Sequence, residues 1–232
     1  MGVDILIPVN RLDRAKTRLA GLLTPEERRE LALLTLSVVV EAARNVGPVT
    51  VLSADNSAAQ ADLGVSFMHE DPDLNGLNSQ LEGAIGRLGG SGELLILHAD
   101  LPLATAIAIA DLVAASAHLS PPLPRGMSRE RGPGGEGVAV RSVDGGTNAM
   151  LLRPPGRFRL AYGPGSFEKH MAAARAAGVS FVQHQSEALS LDLDSPADIK
   201  ALLGTPEARD SSVARFLRGL NLEAREGWPA GA

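Results

Sequence analysis

Glu93-Leu94-Leu95-Ile96-Leu97-His98 is an apolar run closed by Ala99-Asp100-Leu101-Pro102. A strand this short and without polar alternation has no face for solvent, so it fits the centre of a parallel sheet covered by helices on both sides. Working outward, strand and helix signals alternate. On the amino-terminal side, Asp4 to Val9 (DILIPV), Val49 to Ser53 and Val65 to His69 read as strands. Between them, Thr24-Pro25-Glu26-Glu27 opens a helix with a capping Thr, Pro in the first turn and acids on the positive end of the dipole. That helix runs to about Asn45 before Gly47, and Leu77 to Leu88 forms another. On the carboxyl side, Thr105 to Leu119 and Ser166 to Ala177 are helical; Val138 to Arg141, Thr147 to Leu152, Phe181 to His184 and Leu189 to Asp194 are strands. Ser195-Pro196-Ala197-Asp198 caps a short helix ending at Gly204. The alternation predicts an α/β fold: one doubly wound, mostly parallel sheet flanked by helices, with ligands at the carboxyl ends of its strands.

The expected organisation is one domain over residues 1–204, with a mobile loop over about 120–137 that is rich in proline, glycine and arginine. Residues 205–232 carry a weakly amphipathic helix (Val213, Phe216, Leu217, Leu220) and a tail, which can join a homodimer contact. At 232 residues and 44% hydrophobic, the chain can bury a substantial core. A net charge of -5 without long charge blocks argues against a general affinity for nucleic acid. No cysteine is present, which excludes disulfides, thiolate catalysis and cysteine-ligated metal. With no secretion signal and no apolar run of membrane-spanning length, the protein is expected to be soluble and cytoplasmic, without a membrane partner.

Asp100 stands at the carboxyl end of the central strand, where an open α/β sheet places its ligands. Pro102 keeps the residue before it extended. The plainer alternative is that Asp100 caps the turn. Asp192 and Asp194 are two apart on a predicted strand and so share a face. Their repulsion would be relieved by a divalent cation; alternatively they mark an exposed strand end, Asp194 helping Ser195 cap the next helix. Together the three form a candidate oxygen-rich magnesium site.

The segment Pro8 to Leu19 (PVNRLDRAKTRL) follows the first strand with Arg11, Arg14, Lys16 and Arg18. Cations there can neutralise a triphosphate, although a solvated basic face would look the same. The segment is neither a Walker loop nor G-x-G-x-x-G. Gly145-Gly146-Thr147-Asn148 and Gly163-Pro164-Gly165-Ser166-Phe167 bring glycines and a helix start to a strand and a helix, which suits an anionic acceptor. Asn78, in Gly76-Leu77-Asn78, can hydrogen-bond a base or cap its helix. The five histidines show no metal-ligand spacing.

Taken together, IPVNRLDRAKTRLAGLLTPEERREL, GLN, LHADLPL, GGTNAMLLRPP, YGPGSFEKHMAAARAAG and LDLDSPADI resemble the CofC/FbiD guanylyltransferases of coenzyme F-420 biosynthesis, within the wider class of MobA-like nucleotidyltransferases. The resemblance covers about residues 3–203. It implies a nucleotide-diphospho-sugar transferase-like fold and transfer of GMP from GTP to a three-carbon phosphorylated acid: 2-phospho-L-lactate, phosphoenolpyruvate or 3-phospho-D-glycerate. It also implies that Asp100, Asp192 and Asp194 bind magnesium. Thr147, Gly163 and Ser166 would then hold the acceptor, and Lys16, with Arg14 and Asn78, the nucleotide; Lys16 and Asp100 are the candidate catalytic residues. Two positions depart from the family: Asn10 replaces a usual Lys, and Val140-Arg141-Ser142-Val143-Asp144 replaces a usual Pro-Asp pair before GGTN. The GPGS and GGTN forms look less like those of actinobacterial members, which disfavours phosphoenolpyruvate as acceptor. The competing expectations are a MobA-like enzyme for a sugar phosphate or molybdopterin-type cofactor, and a non-catalytic nucleotide-binding scaffold.

Overall fold

The computed structural model describes residues 2–12, 16–54, 63–89, 92–116 and 135–229. The residues of the central apolar run form β4 (Leu94–Leu97), and the other strands are β1 (Asp4–Pro8), β2 (Val49–Ser53), β3 (Ser66–His69), β5 (Glu136–Arg141), β6 (Thr147–Arg153) and β7 (Ser180–Gln183). They make one sheet in the order β3-β2-β1-β4-β6-β5-β7. β6 runs antiparallel to both its neighbours, and the remaining pairs are parallel. The helices are α1 (Pro25–Arg44), α2 (Leu77–Arg87), α3 (Ala106–Ala115), α4 (Ser166–Ala176), the short α5 (Glu187–Ser190), α6 (Pro196–Gly204) and α7 (Ser212–Gly219).

Alternate residues of the central strands face opposite ways, and both sets are buried. Ile5, Ile7, Leu95, Leu97, Ala149 and Leu151 pack under Leu36, Val39 and Val40 of α1 and Ile109 and Leu112 of α3. Leu6, Leu94, Ile96, Met150 and Leu152 pack under Leu81, Ala84 and Ile85 of α2 and Phe167 of α4. This two-sided burial explains the unbroken apolar run. The α1 start is a capping box: Thr24 Oγ1 accepts from the Glu27 N–H at 3.2 Å, and Glu27 Oε2 accepts from the Thr24 N–H at 2.9 Å.

A third core lies beyond the sheet. Leu19, Leu22, Leu23 and Leu31 meet Leu193, Ile199 and Leu202 of the α6 region and Val213, Ala214 and Leu217 of α7. Phe216 and Leu220 pack against it. The apolar stripe of the tail helix, from which a dimer contact was expected, is thus turned inward. Arg225 clamps the tail to α1 through two guanidinium bonds to Glu27, at 2.7 and 2.8 Å.

One expected strand is absent: residues 191–194 are extended but pair with no strand, and Glu187–Ser190 is the helix α5. Both edges of β4 are already occupied by β1 and β6, so no ladder on β4 is open to this segment. Of the expected loop at 120–137, residues 120–134 lie outside the described residues, and β5 begins at Glu136. Among the described residues no helix is long and apolar enough to cross a membrane.

Candidate active site

Leu193 organises the acidic pair. Its side chain is fully buried in the third core, its N–H donates to Asp100 O at 3.1 Å, and its carbonyl accepts from Lys16 Nζ at 2.6 Å. In an extended chain the two flanking residues point opposite to it, so burying Leu193 turns Asp192 and Asp194 toward Asp100. Ligand atoms of Asp100, Asp192 and Asp194 all lie within 4.8 Å of one another. The shared face read from the sequence therefore holds, with a buried leucine in the place of a sheet ladder.

Asp194 gives Ser195 no help in capping α6. Asp198 completes the capping box with Ser195, its Oδ2 accepting from the Ser195 N–H at 2.7 Å and the Asp194 N–H at 3.1 Å. Asp100 Oδ1 is buried and has no hydrogen-bond partner among the described residues. Burial, then the negative charges of Asp100 and Asp194, pushes Asp192 up to about 6, against an opposing hydrogen bond from Asn148. Burial and Asp100 also raise Asp194, opposed by Lys16 and Arg18. Three crowded, half-buried carboxylates with an orphaned oxygen are destabilising unless a cation joins them, and hard oxygen donors suit a divalent ion of the magnesium type. The donor set fits such an ion.

The triad opens into a cleft of about 710 Å³ at the carboxyl ends of β1 and β4, the point where the strand order reverses. Among the residues lining it are Lys16, Arg18, Asp100 and Asp194, and also Asn10, Glu70, Leu74 and Leu77. Lys16 sits at φ 53°, a left-handed conformation, and its side chain is only 5% exposed. Besides bonding Leu193, its Nζ is 3.9 Å from Asp194 Oδ1. It thus ties the loop after β1 to the acidic segment at the edge of the cleft. Arg14 lies outside the described residues. Asn78 does not cap α2, whose first flanking residue is Gly76. Its carboxamide accepts from the Tyr162 N–H at 2.7 Å and donates to Tyr162 O at 3.1 Å, bracing the GPGS turn.

Of the expected acceptor residues, Thr147 and Ser166 form a second, more deeply buried group, and Gly163 lies exposed in the turn before Ser166. Gly163 (φ 127°) and Gly165 (φ 64°) hold backbone conformations that side chains resist, and the turn delivers Ser166 to the start of α4. Ser166 Oγ donates to Thr147 Oγ1 at 3.1 Å, and both residues are almost fully buried. His170 Nδ1 is 3.0 Å from Thr147 Oγ1. The Ala161 N–H donates to His170 Nε2 at 2.9 Å, which leaves Nδ1 to carry the proton and donate to Thr147. Burial, followed by the positive influence of His98 and Lys169, pushes His170 down to about 4, so the ring is neutral. These hydroxyls face one another beside the triad and do not line the cleft itself.

Asn148 links the two groups. Its Nδ2 donates to Leu189 O at 3.1 Å and Ser190 O at 3.0 Å and lies 3.4 Å from Asp192 Oδ1. Neither Asn148 nor His170 was assigned a task from the sequence, although both lie in quoted motifs. Their partners are remote in the chain, and only folding reveals them. His98, half-buried at the cleft with its ring 5.2 Å from Tyr162, has its proton affinity lowered by burial, against the pull of Asp100 and Asp194.

A doubly wound sheet with an acidic triad beyond its central strand is the architecture of nucleotidyltransferases. A Desulfovibrio desulfuricans G20 protein described as a nucleotide-diphospho-sugar transferase shares the fold, with a TM-score of 0.70 at 15% identity over 94% of this chain and 95% of that one. Within this class the relationship is closer still. The model of the family described as "Guanylyl transferase CofC like" matches residues 3–120 and 136–227, and the chain belongs to that family. A phosphoenolpyruvate guanylyltransferase of Sphaerobacter thermophilus is 39% identical, covering 86% of this chain and 91% of the relative. A 2-phospho-L-lactate guanylyltransferase of Methanoregula boonei is 35% identical, covering 81% and 76%.

Proposed function

We propose that the protein transfers GMP from GTP to the phosphate of a three-carbon phosphorylated acid, releasing diphosphate. The observation that carries this reading is the Asp100–Asp192–Asp194 cluster, with its orphaned buried oxygen, at the mouth of a nucleotide-sized cleft. An acceptor phosphate oxygen attacks the α-phosphorus of GTP, a phosphoanhydride forms, and the bond to the β-phosphate oxygen breaks. Magnesium held by the three aspartates would supply charge neutralisation at the phosphates. Arg18, lining the cleft, faces the phosphates, and Lys16 keeps Asp194 and Leu193 in register for them. The remainder of the catalysis is alignment, which phosphoryl transfer chiefly requires.

The exposed Gly163 turn, backed by the buried Thr147–Ser166–His170 group, is the surface on which the acceptor's carboxylate and phosphate are placed. Family membership, and relatives named for phosphoenolpyruvate and 2-phospho-L-lactate, support an acid of this size; the greater similarity to the former favours phosphoenolpyruvate. The same family membership supports a place in coenzyme F-420 biosynthesis in the cytoplasm. The test is diphosphate release from GTP and magnesium with phosphoenolpyruvate, 2-phospho-L-lactate, 3-phospho-D-glycerate or a sugar 1-phosphate. Turnover with one of the three acids is expected. Turnover only with the sugar phosphate, or none with folded protein, would overturn the proposal.

A further inference from the structure

The cleft has a second acidic position whose task the triad does not explain. Among the described residues lining it, the carboxylates are Asp100, Asp194 and Glu70, and Glu70 lies apart from the other two. It immediately follows β3, the edge strand, whereas Asp100 follows β4. Three strand spacings of about 4.8 Å separate those strands, or roughly 14 Å across the carboxyl edge of the sheet. A nucleotide with its α-phosphate at the triad therefore has its ribose beyond β1 and its base near the end of β3. Val9, Leu74 and the partly exposed Leu77 supply apolar surface there for the faces of a base.

Glu70 is held in place on both sides. Its own N–H donates to Ser53 O at 3.2 Å, and the preceding His69 carbonyl accepts from Arg87 Nη1 at 2.8 Å. The following Asp71 N–H donates to Gln80 Oε1 at 2.8 Å, while Gln80 Nε2 donates to Asp71 O and Leu74 O, each at 2.7 Å. Gln80 is therefore committed to the loop and has little capacity left for a ligand. Asn10 Oδ1 is likewise taken, by the Arg11 N–H at 2.8 Å. The Glu70 carboxylate makes no hydrogen bond or ion pair among the described residues, and burial raises its proton affinity. A fixed, partly desolvated carboxylate without a partner is matched by a ligand that presents paired N–H donors.

We infer that Glu70 reads guanine, its two oxygens accepting from the N1–H and the 2-amino group of the base. Adenine and cytosine present a ring-nitrogen lone pair at the corresponding position, facing the carboxylate with repulsion, and uracil flanks its one N–H with carbonyls. Glu70 is thus a specificity-determining residue, and the inference rests on the cleft being the donor site proposed above. A site built to accept a base donor discriminates strongly against the analogue that lacks it.

The test is equilibrium binding of GTP, ITP and 2′-deoxy-GTP, with magnesium and without acceptor, to the wild type and Glu70→Gln. ITP lacks only the 2-amino group, and binding needs no turnover, so failure here is distinguishable from failure of the transfer reaction. The wild type should bind GTP about 10- to 100-fold more tightly than ITP, the range for a hydrogen bond to a charged group. Glu70→Gln should weaken GTP by a similar factor and bring GTP and ITP to within about threefold of each other. A structural role would weaken both nucleotides equally and leave their ratio unchanged. That result overturns the inference, as does a wild type that fails to bind GTP or does not distinguish it from ITP. Collapse of the GTP to 2′-deoxy-GTP preference instead would assign Glu70 to the ribose and also overturn it. Glu70→Asp, which shortens the side chain and keeps the charge, should retain part of the preference; thermal melting of both variants verifies folding.

Discussion

Asp192→Asn should make the metal-free protein more stable in mild alkali, even as it disables the site. Burial and the adjoining Asp100 and Asp194 raise Asp192 from 3.8 to about 6. The folded state thus binds this proton more tightly than the unfolded chain. The resulting stability is fully present below the unfolded value and is lost as pH rises through about 6. A displacement of about two units corresponds to about 3 kcal/mol for a fully shielded group. Asp192 is only partly shielded, and solvent screening reduces this to about 1–2 kcal/mol. Asparagine cannot ionise and retains an oxygen that can accept from Asn148. With chelator at about pH 8, the variant should therefore melt a few degrees above the wild type, and near about pH 4 the two curves should converge. Magnesium should reverse the order at the higher pH, because it stabilises the ionised wild-type cluster and gains little from the carboxamide. Differential scanning fluorimetry in chelator and in magnesium, at both pH values, reads all four quantities. A variant less stable than the wild type in chelator at the higher pH, or a difference independent of pH, would refute the reasoning.

The same proton competes with the cation: magnesium affinity, measured by calorimetry, should weaken about tenfold per pH unit below about 6. Asn148→Ala removes the donors that hold the Leu189 and Ser190 carbonyls and should cost about 2–3 kcal/mol in chemical denaturation, with a larger loss in turnover than in GTP binding. His170→Leu leaves the Ala161 N–H without a partner and Thr147 with Ser166 alone; it should lower stability by about 2–3 kcal/mol and raise the KM for the acceptor more than that for GTP. Arg225 holds Glu27 at about 2, well below its usual 4.5, so the stability from this pair is present above the unfolded value and lost as pH falls toward 2. Glu27→Gln should accordingly lower Tm at neutral pH and have less effect in strong acid.

The fold was legible wherever local chemistry and burial agreed. The run at Leu94–Leu97 is buried on both sides, and the Thr24 and Ser195 caps start their helices as the side chains dictate. Leu189-x-Leu191-x-Leu193 carries the alternation of a strand but finds both edges of β4 taken, so tertiary context overrides the local pattern. The triad was legible because extended backbone gives the same alternation with or without a ladder. Other features depend on contacts remote in sequence: Asn148 with Leu189, His170 with Thr147, and Lys16 with Leu193. Asn78 shows the converse, since a residue suited to a base or cap is engaged by the Tyr162 backbone.

The most direct test of GMP transfer at the Asp100–Asp192–Asp194 cleft is phosphorus NMR of the complete reaction: GTP, magnesium and phosphoenolpyruvate with the wild-type protein. Loss of GTP should be matched one for one by diphosphate and by a new phosphoanhydride that joins GMP to the acid, and Asp100→Asn should abolish both signals. Formation of GDP and free phosphate, or an undiminished rate in the folded Asp100→Asn variant, would contradict it.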